Sequence, residues 1–139
     1  MYKNILLAVD GSDHSERATQ QAINIASLVN GSHIEVVFVA DFSKAKNEVL
    51  HSQGKEELEL ARRQKLAPIE ELIQANEMHY SINILHGDPG PTIVSYANEN
   101  DFDLLIIGSR GLNTLQEMVL GSVSHKVVKR ADCPVLVVK

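Results

Sequence analysis

Two glycine-bearing corners late in the 139-residue chain have the residue types and spacing to hold an anion. The first is Gly108-Ser109-Arg110-Gly111 and the second is Gly121-Ser122-Val123-Ser124. Glycine lets the main chain take up positive φ and lets a ligand approach bare N–H groups. Ser122 is placed to cap a helix, and a helix start adds unpaired N–H donors and a partial positive charge. Together the corners predict a cradle for the phosphates of a nucleotide. Taken singly, each glycine has a plainer role, ending a strand or serving a turn. Arg110 is either a solvated loop charge or a clamp on a phosphate oxygen. Two better-known phosphate loops are absent: there is no Gly-x-x-x-x-Gly-Lys-Ser/Thr, and no Gly-x-Gly-x-x-Gly after the first strand.

The corners need elements to bring them together. Residues 104–107 form a short apolar run of the kind that makes a strand buried on both faces, stopping at Gly108. Residues 5–9 form a similar run and end in Asp10-Gly11-Ser12-Asp13, a turn that leads into a helix. Asp13 and Glu16 have capping-box spacing, with Ser12 as the alternative cap. Ala18, Ala22, Ile25 and Val29 then share one helical face, and Gly31 marks the exit. A second strand is expected over 34–39 and a loop or irregular lid over 42–54. A helix follows over 55–77, with a stripe of Leu58, Ala61, Leu66, Ile69, Leu72 and Ile73, and Pro68 is expected to kink or restart it. A third strand over 82–85, a rigid turn over 87–91, a helix over 92–98, a helix over 123–130 and a fifth strand over 135–138 complete the pattern. Alternating strands and helices predict an α/β fold: an open, doubly wound, five-stranded parallel sheet with four helices, Rossmann-like. Ligands bind such sheets beyond the carboxyl ends of strands where the winding reverses. A strand order of 3-2-1-4-5 puts Asp10 and Gly108 on that crevice.

Composition narrows the classes. Hydrophobic residues make up 44% of the chain but aromatics only 4%, with no tryptophan, so aliphatic packing must supply the core of one domain spanning 1–139. The net charge of −5 and the lack of a basic run argue against nucleic acid or an anionic membrane as partner. A single cysteine, Cys133, excludes an internal disulfide and fits a reducing compartment. The apolar run after Met1 is too short for a secretory h-region, and no run approaches spanning length, so a soluble cytoplasmic protein is expected. The six histidines are scattered without metal-binding spacing and read as ordinary surface or capping residues, so no metal ligand is assigned. Only His125, next to Ser124, comes near the predicted phosphates. Cys133 precedes a proline-led strand and reads as a structural thiol. Neither Ser109 nor Ser122 sits in a Gly-x-Ser-x-Gly elbow, and nothing resembles a hydrolytic base or an arginine finger, so no catalytic residue is assigned.

Gly108-x-x-Gly111, nine further residues and then Gly121-Ser122 resemble the ATP-binding motif of the universal stress protein family. The similarity runs along the chain, through Lys3-Asn4-Ile5-Leu6-Leu7-Ala8-Val9-Asp10-Gly11-Ser12, Val36-Val37-Phe38-Val39, Asp103 to Gly111, and Cys133-Pro134-Val135-Leu136-Val137-Val138. The resemblance implies a bound adenine nucleotide, ATP or its AMP and ADP products, with Mg2+ held through the phosphates. It implies that Ala8 lies under the base, that Val39 meets the adenine edge through its main chain, and that Asp10 bonds the ribose or adenine side. Gly108, Ser109, Arg110 and Gly111 would wall the ribose and phosphates, while Gly121, Ser122, Val123 and Ser124 would hold the phosphates. It also implies a homodimer through strand 135–138. The expected function is a nucleotide-dependent stress-response switch or sensor, with at most slow ATP hydrolysis or autophosphorylation. The alternative is an interaction module of the same fold that dimerises without a ligand. A phospho-accepting response regulator shares the layout, but it needs an aspartate just after strand three and a lysine after strand five with a closing helix. Here only Asp88 follows strand three.

Overall fold

The computed structural model describes residues 2–40, 55–110 and 121–139. The expected lid over 42–54, Gly111 and the side chain of Leu58 lie outside the described residues. In chain order the elements are β1 (Asn4–Val9), α1 (Asp13–Ser27), β2 (His33–Ala40), α2 (Lys55–Ala75), β3 (His79–His86), α3 (Pro89–Glu99), β4 (Leu104–Gly108), α4 (Ser122–Arg130) and β5 (Val135–Val138). The strands form one five-stranded sheet in the order β3-β2-β1-β4-β5. Every neighbouring pair is parallel. The expected architecture and strand order therefore hold.

β1 occupies the middle because all of its apolar residues are out of water. Ile5, Leu6 and Leu7 are completely buried, which removes about 1.5–3 kcal/mol worth of apolar surface per side chain from solvent. Alternate residues serve opposite faces. Ile5, Leu7 and Val9 join Ile34, Val36 and Phe38 under α1 and the Leu66, Ile69 and Ile73 stripe of α2. Leu6 and Ala8 join Val37, Leu105 and Ile107 under Ile93 and Ala97 of α3 and Val127 of α4. A strand covered on both sides has no polar alternation, which is why its sequence reads as an unbroken apolar run.

Four local expectations need correction. α1 is capped by Ser12, whose hydroxyl accepts from the Ser15 amide at 3.3 Å; Asp13 is the first helical residue rather than the cap. α2 continues through Pro68 as one helix, with that residue on its exposed side, and Ala61 is also exposed rather than part of the buried stripe. β3 is three residues longer at its start and one at its end than the expected 82–85, because it pairs with β2 from His33↔His79 to Ala40↔His86. Its half-buried Ser81 and Asn83 interrupt the apolar signal: Ser81 meets His33 and Asn83 bonds Tyr96. The stretch read as a rigid turn contains the start of α3, with Asp88 at its N-cap and prolines in its first turn. Proline suits that position, because its missing N–H would have no helical partner there.

Candidate functional site

Asp10 stands where β1 ends, half-buried at the carboxyl edge of the sheet. One of its carboxylate oxygens accepts from the Ser12 amide at 2.9 Å and from the Ser15 hydroxyl at 2.8 Å. Ser15 Oγ in turn accepts from the Asp10 amide at 2.8 Å. This closed set of bonds fixes the β1–α1 turn and positions the Ser12 cap. Gly11 makes the turn feasible with a φ of +85°, and the stem of Lys65 from α2 packs over it.

β1 and β4 are neighbours in register, Ile5↔Leu104 through Ala8↔Ile107, so the end of β4 arrives beside Asp10. There Gly108 is buried against the first turn of α1. A Cβ on Gly108 would lie 2.7 Å from His14 Cβ and 3.1 Å from its carbonyl carbon. The next residue joins four elements. Ser109 donates its amide to Val138 O of β5 at 2.7 Å, and its carbonyl accepts from the Gly121 amide at 2.8 Å. That carbonyl also accepts from Ser124 Oγ at 2.8 Å, while Ser109 Oγ meets His14 Nδ1 at 3.3 Å. The two glycine corners are thus in direct main-chain contact.

At the second corner, the N-cap of α4 is Gly121 and not Ser122. Ser122 is the first helical residue, with its side chain exposed; Val123 is half-buried and Ser124 buried. Gly121 has a φ of −61°, and Gly108 also lacks a positive φ, so neither glycine serves for the left-handed freedom expected of it. Gly108 instead provides close approach to α1, and Gly121 is in ordinary contact with the first corner. A Cβ on Gly121 would come 3.4 Å from Arg110 Cα and Ser109 O. Ser124 spends its one proton on the main chain, reaching Gly121 O at 3.0 Å as well as Ser109 O. Its hydroxyl braces the corner and keeps only acceptor capacity for anything else.

Ala8 and Val39 both lie on the α3–α4 face of the sheet, Ala8 buried and Val39 half-buried, beneath the edge where the corners meet. Arg110 is half-buried beside Gly121 and has interactions of its own. The structure therefore brings Ser109, Arg110, Gly121 and Ser124 together just past Gly108, with Asp10 at the end of the neighbouring strand and Ser122 and Val123 opening α4. Among the described residues no three of His, Cys, Asp and Glu come together as a cation site. Burial pushes the Cys133 thiol up, the direction opposite to that of an activated cysteine.

The family model for universal stress proteins matches residues 1–139. The chain belongs to the universal stress protein family. A relative of this family, universal stress protein YxiE of Bacillus subtilis, is 32% identical, with both chains covered completely. A solved structure, that of hypothetical protein MJ0577, superposes with a TM-score of 0.86 at 31% identity, covering 100% of this chain and 96% of that one. A universal stress protein from Archaeoglobus fulgidus, solved in complex with dAMP, superposes with a TM-score of 0.73 at 25% identity, covering 99% and 98%.

Within this universal stress protein fold, the residue that sequence reasoning passed over is His14. One of six scattered histidines and ordinary by its spacing, it sits in the first turn of α1 directly over Gly108 and against Ser109. The signal was positional. With strand four beside strand one, the residue four after Asp10 must overhang the end of β4. Among the described residues, no helix is long and apolar enough to cross a membrane.

Proposed function

We propose that this chain binds an adenine nucleotide at the carboxyl edge of its sheet and acts as a nucleotide-dependent stress-response switch or sensor. The observation that carries this reading is the bond from the Gly121 amide to Ser109 O, which closes two separated bends around one mouth. The first turn of α4 lies beside that bond. Its leading amides have no acceptor inside their own helix, and with the helix dipole they favour phosphate oxygens. The dAMP complex of the Archaeoglobus fulgidus relative supports the ligand class.

In this reading Ala8 lies under the base, the Val39 main chain meets the adenine edge, and Asp10 bonds the ribose or adenine side. Ser109, Arg110 and Gly111 wall the ribose and phosphates. The phosphates rest on the amides of Ser122, Val123 and Ser124 and on the exposed Ser122 hydroxyl. Mg2+ would be held chiefly by the phosphates and would neutralise charge between them. In this reading the protein is a switch rather than a dedicated enzyme, with at most slow ATP hydrolysis or autophosphorylation. Calorimetry with ATP and Mg2+ tests the reading. Saturable one-to-one binding is expected, and no binding overturns it.

A second reading rests on β5. It is an edge strand in the sheet order, and its four apolar residues are half-buried. Such an edge is a pairing template. A homodimer through Val135–Val138 is compatible with nucleotide binding, or it could act without any ligand. Sedimentation showing only monomer at micromolar concentration would remove the dimer from either version. A domain spanning 1–139 and a cytoplasmic location belong to the same proposal.

A further inference from the structure

We propose that His14 is a specificity-determining residue of the nucleotide site, donating from its outer ring nitrogen to the phosphate tail. The pocket would then prefer a polyphosphate to a nucleoside. The inference rests on the nucleotide reading above and extends it to which nucleotides are favoured.

Three observations support it. First, the position is built: Gly108 must lack a Cβ for the first turn of α1 to lie where it does, since that atom would fall 2.7 Å from His14 Cβ. Second, the ring is oriented. His14 Nδ1 lies 3.3 Å from Ser109 Oγ, and Ser109 is only 8% exposed. A hydroxyl so far from water needs an acceptor for its proton, and the imidazole nitrogen is the partner described for it. In this proposal Nδ1 accepts from the Ser109 hydroxyl, and the ring proton then sits on Nε2, at the edge turned away from Ser109. The residue is half-buried, so it is not sealed off from solvent. Third, the residue holding the ring also holds the other corner, because Ser109 O receives the Gly121 amide at 2.8 Å. A phosphate tail seated on α4 therefore lies on the far side of one residue from His14. A donor here would also offset the repulsion between the tail and the carboxylate of Asp10, which ends the adjacent strand.

The competing role, a purely structural tie between α1 and β4, makes the opposite forecast for two substitutions. In His14→Asn the amide reaches the Nδ1 position, so the tie to Ser109 is kept while the outer donor is lost. In His14→Gln the amide reaches the Nε2 position, so the outer donor is kept and the tie is lost. Calorimetry with adenosine, AMP and ATP, with Mg2+ present, separates the two. We expect H14N to lose about tenfold or more in ATP affinity with adenosine unchanged, and H14Q to stay within about threefold of wild type for ATP. ATP binding by H14N at the wild-type level, or equal losses for ATP and adenosine, overturns the proposal. A measurement on the unaltered protein guards against misfolded variants: the His14 Nε2 resonance should shift with ATP and not with adenosine, and an unmoved resonance also overturns it. Wild-type protein that binds no adenine nucleotide defeats the proposed function itself. Wild-type binding with an indifferent H14N defeats only the role of His14.

Discussion

Gly108 and Gly121 look alike in sequence and perform different tasks in the molecule. Gly108 faces inward. Its missing side chain is replaced by His14 of α1, with main-chain atoms of that residue at 3.1 and 3.2 Å from the place a Cβ would take. Gly121 faces the mouth, where the nearest atoms to a Cβ are at 3.4 Å and its φ of −61° suits any residue. One glycine exists so that the protein can close on itself. The other leaves space beside a helix start. A motif glycine is therefore not evidence of ligand contact until its neighbours are known.

The contrast can be broken or sharpened by substitution. Gly108→Val should have the largest effect, about 3 kcal/mol or more, because the first turn of α1 cannot yield without moving main chain. Thermal denaturation should show a fall in Tm of many degrees, and a melt close to wild type would mean that the helix is not seated on β4 as described. Ser124→Ala should come next, at about 1–2 kcal/mol. It removes a buried hydroxyl from Ser109 O and Gly121 O and leaves the Gly121 amide to hold the second corner to the first. Chemical denaturation measures the loss, and calorimetry should show weakened ATP binding as the corner loosens.

Gly121→Ala should cost less than about 1 kcal/mol, since alanine is only a poorer N-cap than glycine. Gly121→Leu should fold as well but reduce ATP affinity by about tenfold or more. Unchanged affinity would place the phosphates elsewhere. The smallest effect is at the opposite edge of the sheet. Amides of Asn4 and Lys3 donate to Asp103 and hold its carboxyl below the ordinary value of 3.8. A group depressed in the folded state adds stability above its unfolded value, and that increment is lost as pH falls through the lower folded value. Asp103→Asn should therefore flatten the acid side of the Tm profile below about pH 4 and leave ATP affinity unchanged. A change in affinity would show that the two ends of β1 and β4 are not independent.

Much of this was legible in the chain. β1 and β4 declare themselves because burial on both faces demands unbroken apolar runs, and their neighbourhood follows once five strands alternate with helices. β3 was underestimated because an edge strand admits Ser81 and Asn83 on one face. The start of α3 is hidden in the sequence because proline both ends helices and begins them, and Pro89 does the latter. Residue type points to Ser122 as the cap of α4, but the helix starts one residue earlier, with Gly121 at the N-cap and Ser122 as the first helical residue. His14 was the hardest to see. Its importance depends on a side chain that Gly108 does not have, 94 positions later, and spacing along a sequence cannot display a contact of that kind.

The register Ile5↔Leu104 carries a lesson about timing. As the chain leaves the ribosome, β1, β2 and β3 have all their partners for one another early, but the other side of β1 must wait for about a hundred residues. Through that interval a fully apolar strand offers an open flank to any neighbour. The contact between the two corners does not exist until the segment bearing Ser124 has been made. A ligand held by both corners, as proposed above, therefore cannot guide the first half of folding; it can only reward completion.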